Sequence, residues 1–121
     1  MKKILVVDDE EMIVKVLTLR LSNDGYKVFS ALDGNEGLDI AIKEKPDLAI
    51  IDIGLPKIEG TTLCEILKND RRTADIKVII LTGKKLVGDM EKAFEKGADA
   101  YVSKPYEYSL LLSKIKKLIG K

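Results

Sequence analysis

Asp47-Leu48-Ala49-Ile50-Ile51-Asp52-Ile53-Gly54-Leu55-Pro56 sets four consecutive apolar residues, Leu48 to Ile51, directly before a carboxylate. A run that is apolar at every position suits a strand buried on both faces, as in a parallel sheet covered by helices on each side. Working outward, runs with strand character recur at Ile4–Val7, Val28–Ser30, Val78–Leu81 and Ala100–Val102. Helical periodicity fills the gaps between them. Ile13, Val16, Leu17 and Leu21 form the first stripe, Leu38, Ala41 and Ile42 the second, and Leu63, Ile66 and Leu67 the third. Met90, Ala93, Phe94 and Gly97 form the fourth, and Leu111, Leu112, Ile115, Leu118 and Ile119 the last. Gly25, Pro46 and Gly97 mark helix ends, while Asp33 and Thr61 or Thr62 are candidate N-caps. Five strands alternating with five helices predict a doubly wound (βα)5 α/β fold, with residues 1–121 as one domain.

Composition narrows the chemistry. The chain has 121 residues, 45% hydrophobic and 34% charged, with 21 Lys+Arg against 20 Asp+Glu. So balanced a charge gives no general attraction to nucleic acid or membrane. There is no histidine, which removes His general bases, Ser-His-Asp triads and imidazole metal sites. Cys64 is alone, so it reads as a small core residue suited to a reducing compartment. The apolar run after Met1-Lys2-Lys3 is too short for a signal peptide or membrane span, so a cytoplasmic location is expected.

Open parallel sheets bind ligands beyond the carboxyl ends of their strands. Here those ends carry Asp8-Asp9, Asp52, Thr82 and Ser103-Lys104-Pro105. Three carboxylates, a hydroxyl and an ammonium are thus expected at one edge. Crowded carboxylates need raised pKa values or a cation, and an all-oxygen set that keeps several waters favours Mg²⁺. A carboxylate beside Mg²⁺ and a lysine is equipped to attack phosphorus and form an acyl phosphate.

With these elements in order, the chain resembles, from end to end, the receiver domains of two-component response regulators. The resemblance is carried by Val6-Val7-Asp8-Asp9-Glu10, by the stretch around Asp52 and by Gly60. It continues through Val78-Ile79-Ile80-Leu81-Thr82-Gly83, Gly97-Ala98-Asp99-Ala100-Tyr101 and Lys104-Pro105. It implies the flavodoxin-like strand order 2-1-3-4-5 of the family. It implies Asp52 as the residue phosphorylated by a sensor histidine kinase or His-phosphotransfer domain. Asp9 would be the direct Mg²⁺ ligand, with Asp8 close by or acting through water, and Gly54 would offer its carbonyl. Lys104 would pair with the phosphoryl group, across a cis Lys104–Pro105 bond. Thr82 and Tyr101 would form the switch pair, remodelling the face made by the fourth helix, fifth strand and fifth helix. A downstream effector or a second copy would dock there.

The chain departs from the common pattern at Gly83 and at Ile58-Glu59. Gly54 and Lys84 occupy positions that tune phosphate lifetime in the family. The expected function is a phosphorylation-dependent switch that catalyses only its own phosphoryl transfer and dephosphorylation. The competing readings are an aspartyl-phosphate phosphatase and a receiver-like module that never cycles phosphate. Gly54, where such phosphatases place a second acid, argues against turnover. Both a stand-alone receiver and part of a larger regulator fit the sequence. The basic last helix has no groove-reading motif, so direct nucleic-acid binding is not expected. Leu110, Leu111 and Leu112 cannot all face inward on one helix.

Overall fold

The computed structural model of the chain describes residues 1–83 and 96–120. Its strands are β1 (Lys3–Val7), β2 (Lys27–Ala31), β3 (Leu48–Asp52), β4 (Lys77–Thr82) and β5 (Ala100–Ser103). Its helices are α1 (Glu11–Asn23), α2 (Gly34–Glu44), α3 (Gly60–Asn69) and α4 (Tyr108–Ile119). The helical segment expected around Met90, Ala93 and Phe94 lies outside the described residues, as does Lys84, so α4 is the last of the expected helices. The strands form one parallel sheet in the order β2-β1-β3-β4-β5. This is the expected flavodoxin-like arrangement.

Alternate strand residues feed two cores, one on each face. Leu5, Val7, Ala49, Ile51, Val78 and Ile80 pack with Ala41 of α2 and with Leu63, Cys64 and Leu67 of α3. Ile4, Val6, Leu48, Ile50, Ile79 and Leu81 pack with Leu17 and Leu21 of α1 and with Leu111 and Ile115 of α4. Each large residue here contributes about 2–5 kcal/mol relative to alanine. The two cores pack the sheet between its helices, and because all five strands are parallel their carboxyl ends lie along one edge.

Local chemistry departs from the expected pattern in two places. The buried stripe of α1 is Val14, Leu17 and Leu21, while Val16 is 48% exposed. Leu21 and Leu17 fix the inward direction, and Val16 lies to one side of that stripe. Neither Thr61 nor Thr62 caps α3: the helix begins at Gly60, and Thr61 is buried within its first turn. Asp99 Oδ2 accepts Val78 N and Lys68 Nζ, both at 2.8 Å, tying α3 to the start of β4. Asp33 does cap α2, accepting Glu36 N at 2.9 Å. Leu110 is the outward member of its triplet, at 51% exposure.

Cys64 is fully buried, and burial pushes its thiol up to about 11. At pH 8 only about one thiol in a thousand is then ionised, and none is accessible. Native protein should therefore resist alkylation by iodoacetamide at pH 8, and react promptly once denatured. Intact-mass time courses with and without urea check this.

Candidate functional site

The acidic edge is assembled from backbone outward. Asp8 follows the last residue of β1 and is anchored by its own N–H, which donates to Ala31 O of β2 at 3.1 Å. Its Oδ1 accepts Glu10 N at 3.0 Å, turning the chain toward α1. Asp52 is the last residue of β3, paired in register with Leu81 of β4. The next residue, Ile53, donates to Leu81 O at 2.8 Å, so the strand pairing runs on past Asp52. Thr82 ends β4 and pairs with Ser103 of β5. Lys104 N then donates to Thr82 O at 2.7 Å, which sets the start of the loop carrying the lysine. The Lys104–Pro105 peptide bond is cis.

These strand ends bring together the carboxylates of Asp8, Asp9 and Asp52, with one oxygen from each within 4.8 Å of the others. Asp8 is fully buried, Asp52 nearly so, and Asp9 exposed. Lys104 Nζ lies 2.8 Å from Asp52 Oδ1, 3.1 Å from Asp8 Oδ2 and 3.9 Å from Glu10 Oε1. One ammonium therefore serves three carboxylates. Burial pushes the Asp8 carboxyl above its ordinary value; the Glu10 N–H and Lys104 oppose that rise, and the Asp52 charge adds to it. For Lys104 burial works downward, but the hydrogen bond and charge of Asp52, with Asp8, hold the ammonium above its ordinary value.

The set fits a hard divalent cation. All donors are oxygens, and opposite ligands of Mg²⁺ stand about 4 Å apart, so the carboxylate spacing needs only small adjustment. Gly54 is exposed beside the acid: a Cβ built on it would stand 3.6 Å from Asp52 Oδ2. Thr82 is buried. Tyr101 is half-buried on the α2–α3 side, paired with Ile80. Paired residues of parallel strands face the same side, as do residues two apart on one strand, so Thr82 and Tyr101 share a sheet face on neighbouring strands.

Three residues of the rim have no role readable from the sequence. Glu10 reaches Lys104, although sequence order shows only that it follows the acidic pair. Tyr106 closes a small apolar groove with Met12, Ile13, Val16 and Leu17 of α1. Lys57 has φ 68 and lies 3.5 Å from Asp33 Oδ2, linking the loop after β3 to the cap of α2. A left-handed lysine carries no local signal, since glycine or asparagine is the usual residue in that conformation.

Residues 4–116 match the family described as the response regulator receiver domain. The DNA-binding dual master transcriptional regulator RpaA of Synechocystis is 38% identical over 119 residues, 98% of this chain and 49% of that protein. The chain spans about half the length of the curated relatives it matches. A CheY-like response regulator receiver domain protein from Methanospirillum hungatei superposes with a TM-score of 0.93 at 37% identity, covering 99% of this chain and 94% of that one. The BeF3-activated receiver domain of Klebsiella pneumoniae RstA superposes with a TM-score of 0.91 at 25% identity, covering 99% and 100%. The sheet order, the acidic edge with its lysine, and these likenesses agree: the chain belongs to the response regulator receiver domain family.

Proposed function

We propose that Asp52 accepts a phosphoryl group from a phosphohistidine on a sensor kinase or His-phosphotransfer protein, and that the acyl phosphate switches the surface around β5 and α4. The observation that carries this reading is the position of Asp52: a nearly buried carboxylate at a strand end, 2.8 Å from Lys104 and clustered with Asp8 and Asp9. A carboxylate oxygen of Asp52 attacks phosphorus as the P–N bond breaks, and the imidazole leaves with the bonding pair. Lys104 then exchanges its contact with Asp52 for the phosphoryl oxygens, and the Thr82 hydroxyl offers them a hydrogen bond. Bound Mg²⁺, held by Asp8, Asp9, Asp52 and the Gly54 carbonyl, would supply charge neutralisation at those oxygens. Water later cleaves the acyl phosphate, restoring the Asp52 carboxylate and releasing inorganic phosphate.

Drawing Thr82 toward the phosphoryl group opens space on the face it shares with Tyr101, whose ring would turn inward. Beside that face, Tyr101, Ser103, Pro105, Tyr106, Leu110 and Lys114 line a surface cleft, where we place an effector or a second copy. The phosphodonor must approach the acidic mouth, and the apolar groove of Met12, Val16 and Tyr106 offers it a seat there. The family and the name of RpaA suggest a regulatory output, with transcription the first to test. The protein acts as a switch rather than an enzyme for a separate substrate.

Incubation with Mg²⁺ and acetyl phosphate, or with beryllium fluoride, should give an adduct by intact mass or NMR that Asp52→Ala abolishes. No Mg²⁺-dependent adduct sinks the proposal, and multiple turnover of a phosphomonoester would favour a phosphatase. Lys104 and the cation compete for the same oxygens. Lys104→Met should therefore tighten Mg²⁺ binding, by about tenfold if about 1.4 kcal/mol of repulsion is removed, as read by calorimetry. Val16→Glu should leave labelling by acetyl phosphate unchanged. It should slow transfer from any phosphohistidine protein that labels the wild type, and equal rates would remove the groove from the docking surface.

A further inference from the structure

The loop between Asp52 and α3 is held at its start by the sheet and near its end by α2. At its start, Ile53 N donates to Leu81 O, and Gly60 N donates back to Ile53 O at 3.0 Å. A Cβ on Gly60 would collide with the Asp52 carbonyl, so α3 begins in direct contact with the backbone of the acid. Near its end, Ile58 rests on Gly34, the first residue of α2. A Cβ built on Gly34 would stand 2.7 Å from Ile58 Cβ and 3.2 Å from Ile58 O. Gly34 is not among the glycines of positive φ, so closeness alone demands a glycine here.

The contact has a rigid base. Gly34 is buried, and Asp33 caps the helix that it opens. Glu36 Oε1 reaches back to accept Leu32 N at 2.9 Å. One turn on, a Cβ on Gly37 would stand 2.9 Å from Val7 Cγ2, so α2 lies hard against β1 one residue before Asp8. The path runs from β1 through Gly37 and Gly34 to Ile58, and through the loop to Gly54. Lys57 adds its ion pair to Asp33 beside the same contact.

We infer that Gly34 and Ile58 are positioning residues for the divalent-cation site, setting the height of the loop that carries Gly54 over Asp52. Neither touches the cation; they act through the loop. The inference rests on the reading of the acidic edge as a Mg²⁺ site. Asp8, Asp9, Asp52 and Lys104 sit at strand ends, whereas Gly54 lies in the loop between the sheet anchor at Ile53 and the contact of Ile58 with α2. Bulk at Gly34 should therefore weaken metal binding while the carboxylates stay in place.

Amide NMR titrations with MgCl₂ test this, alongside thermal melts. Gly34→Ala should keep a dispersed spectrum and bind Mg²⁺ about tenfold more weakly, the range found when groups that orient metal ligands are disturbed. Ile58→Gly, which frees the loop from the helix, should also bind more weakly. The double variant moves the missing Cβ from one partner to the other, and should bind more tightly than Gly34→Ala even if it melts lower. A purely structural role would instead make affinity follow stability. Wild-type affinity in a folded Gly34→Ala overturns the inference; if that variant does not fold, wild-type affinity in Ile58→Gly does so. A wild type that fails to saturate with Mg²⁺ overturns the reading of the site itself, and this inference with it.

Discussion

Among the described residues, the carboxylates of Asp8, Asp9 and Asp52 share one edge of the sheet with the Lys104 ammonium, which pairs with Asp8 and Asp52, and much of the molecule serves that arrangement. The sheet supplies the convergence, because five parallel strands present their carboxyl ends on the same side. Two apolar cores, one on each face, keep those ends from fraying. Lys104 makes the cluster tolerable without metal, since Asp8 is fully buried beside Asp52 and would otherwise face an unscreened like charge. A cation drawn to the Asp52 carboxylate would meet that ammonium already at 2.8 Å.

The loops around this edge divide into held and open parts. The turn after β1 is held by the Asp8 side chain accepting Glu10 N. The loop after β3 is pinned by Gly60 against Asp52 and by Ile58 against Gly34. Gly54 and Gly83, by contrast, are exposed and bring no side chain to the pocket. Among the described residues, no helix is long and apolar enough to cross a membrane.

Most of the architecture was legible because buried parallel strands write themselves as continuous apolar runs. Leu48–Ile51 and Val78–Leu81 are read directly, and the carboxylate and hydroxyl closing them follow. Helix faces were less legible. In α1 the apolar residues outnumber the positions that can be buried, so periodicity alone assigned Val16 to the core, whereas Leu21 and Val14 set the true direction. Asp99 shows a different limit. Its partners, Lys68 and Val78, are far along the chain, and no local pattern announces a carboxylate that bridges a helix and a strand.

By itself the sequence determined the order of the strands and of the described helices along the chain, the absence of histidine, and the identity of Asp8, Asp9, Asp52, Thr82 and Lys104 as residues at strand ends. Those depend on residue type and local period, which are properties of neighbours in the chain. Tertiary structure decided what depends on distance between separate elements. It gave Lys104 to Asp52 and Asp8 together, turned Val16 outward beside Tyr106, and brought Gly34 so close to Ile58 that α2 bears on the loop over the acid. The physical reason is that packing fixes such approaches to within a few tenths of an ångström, a precision that hydrophobic periodicity does not encode.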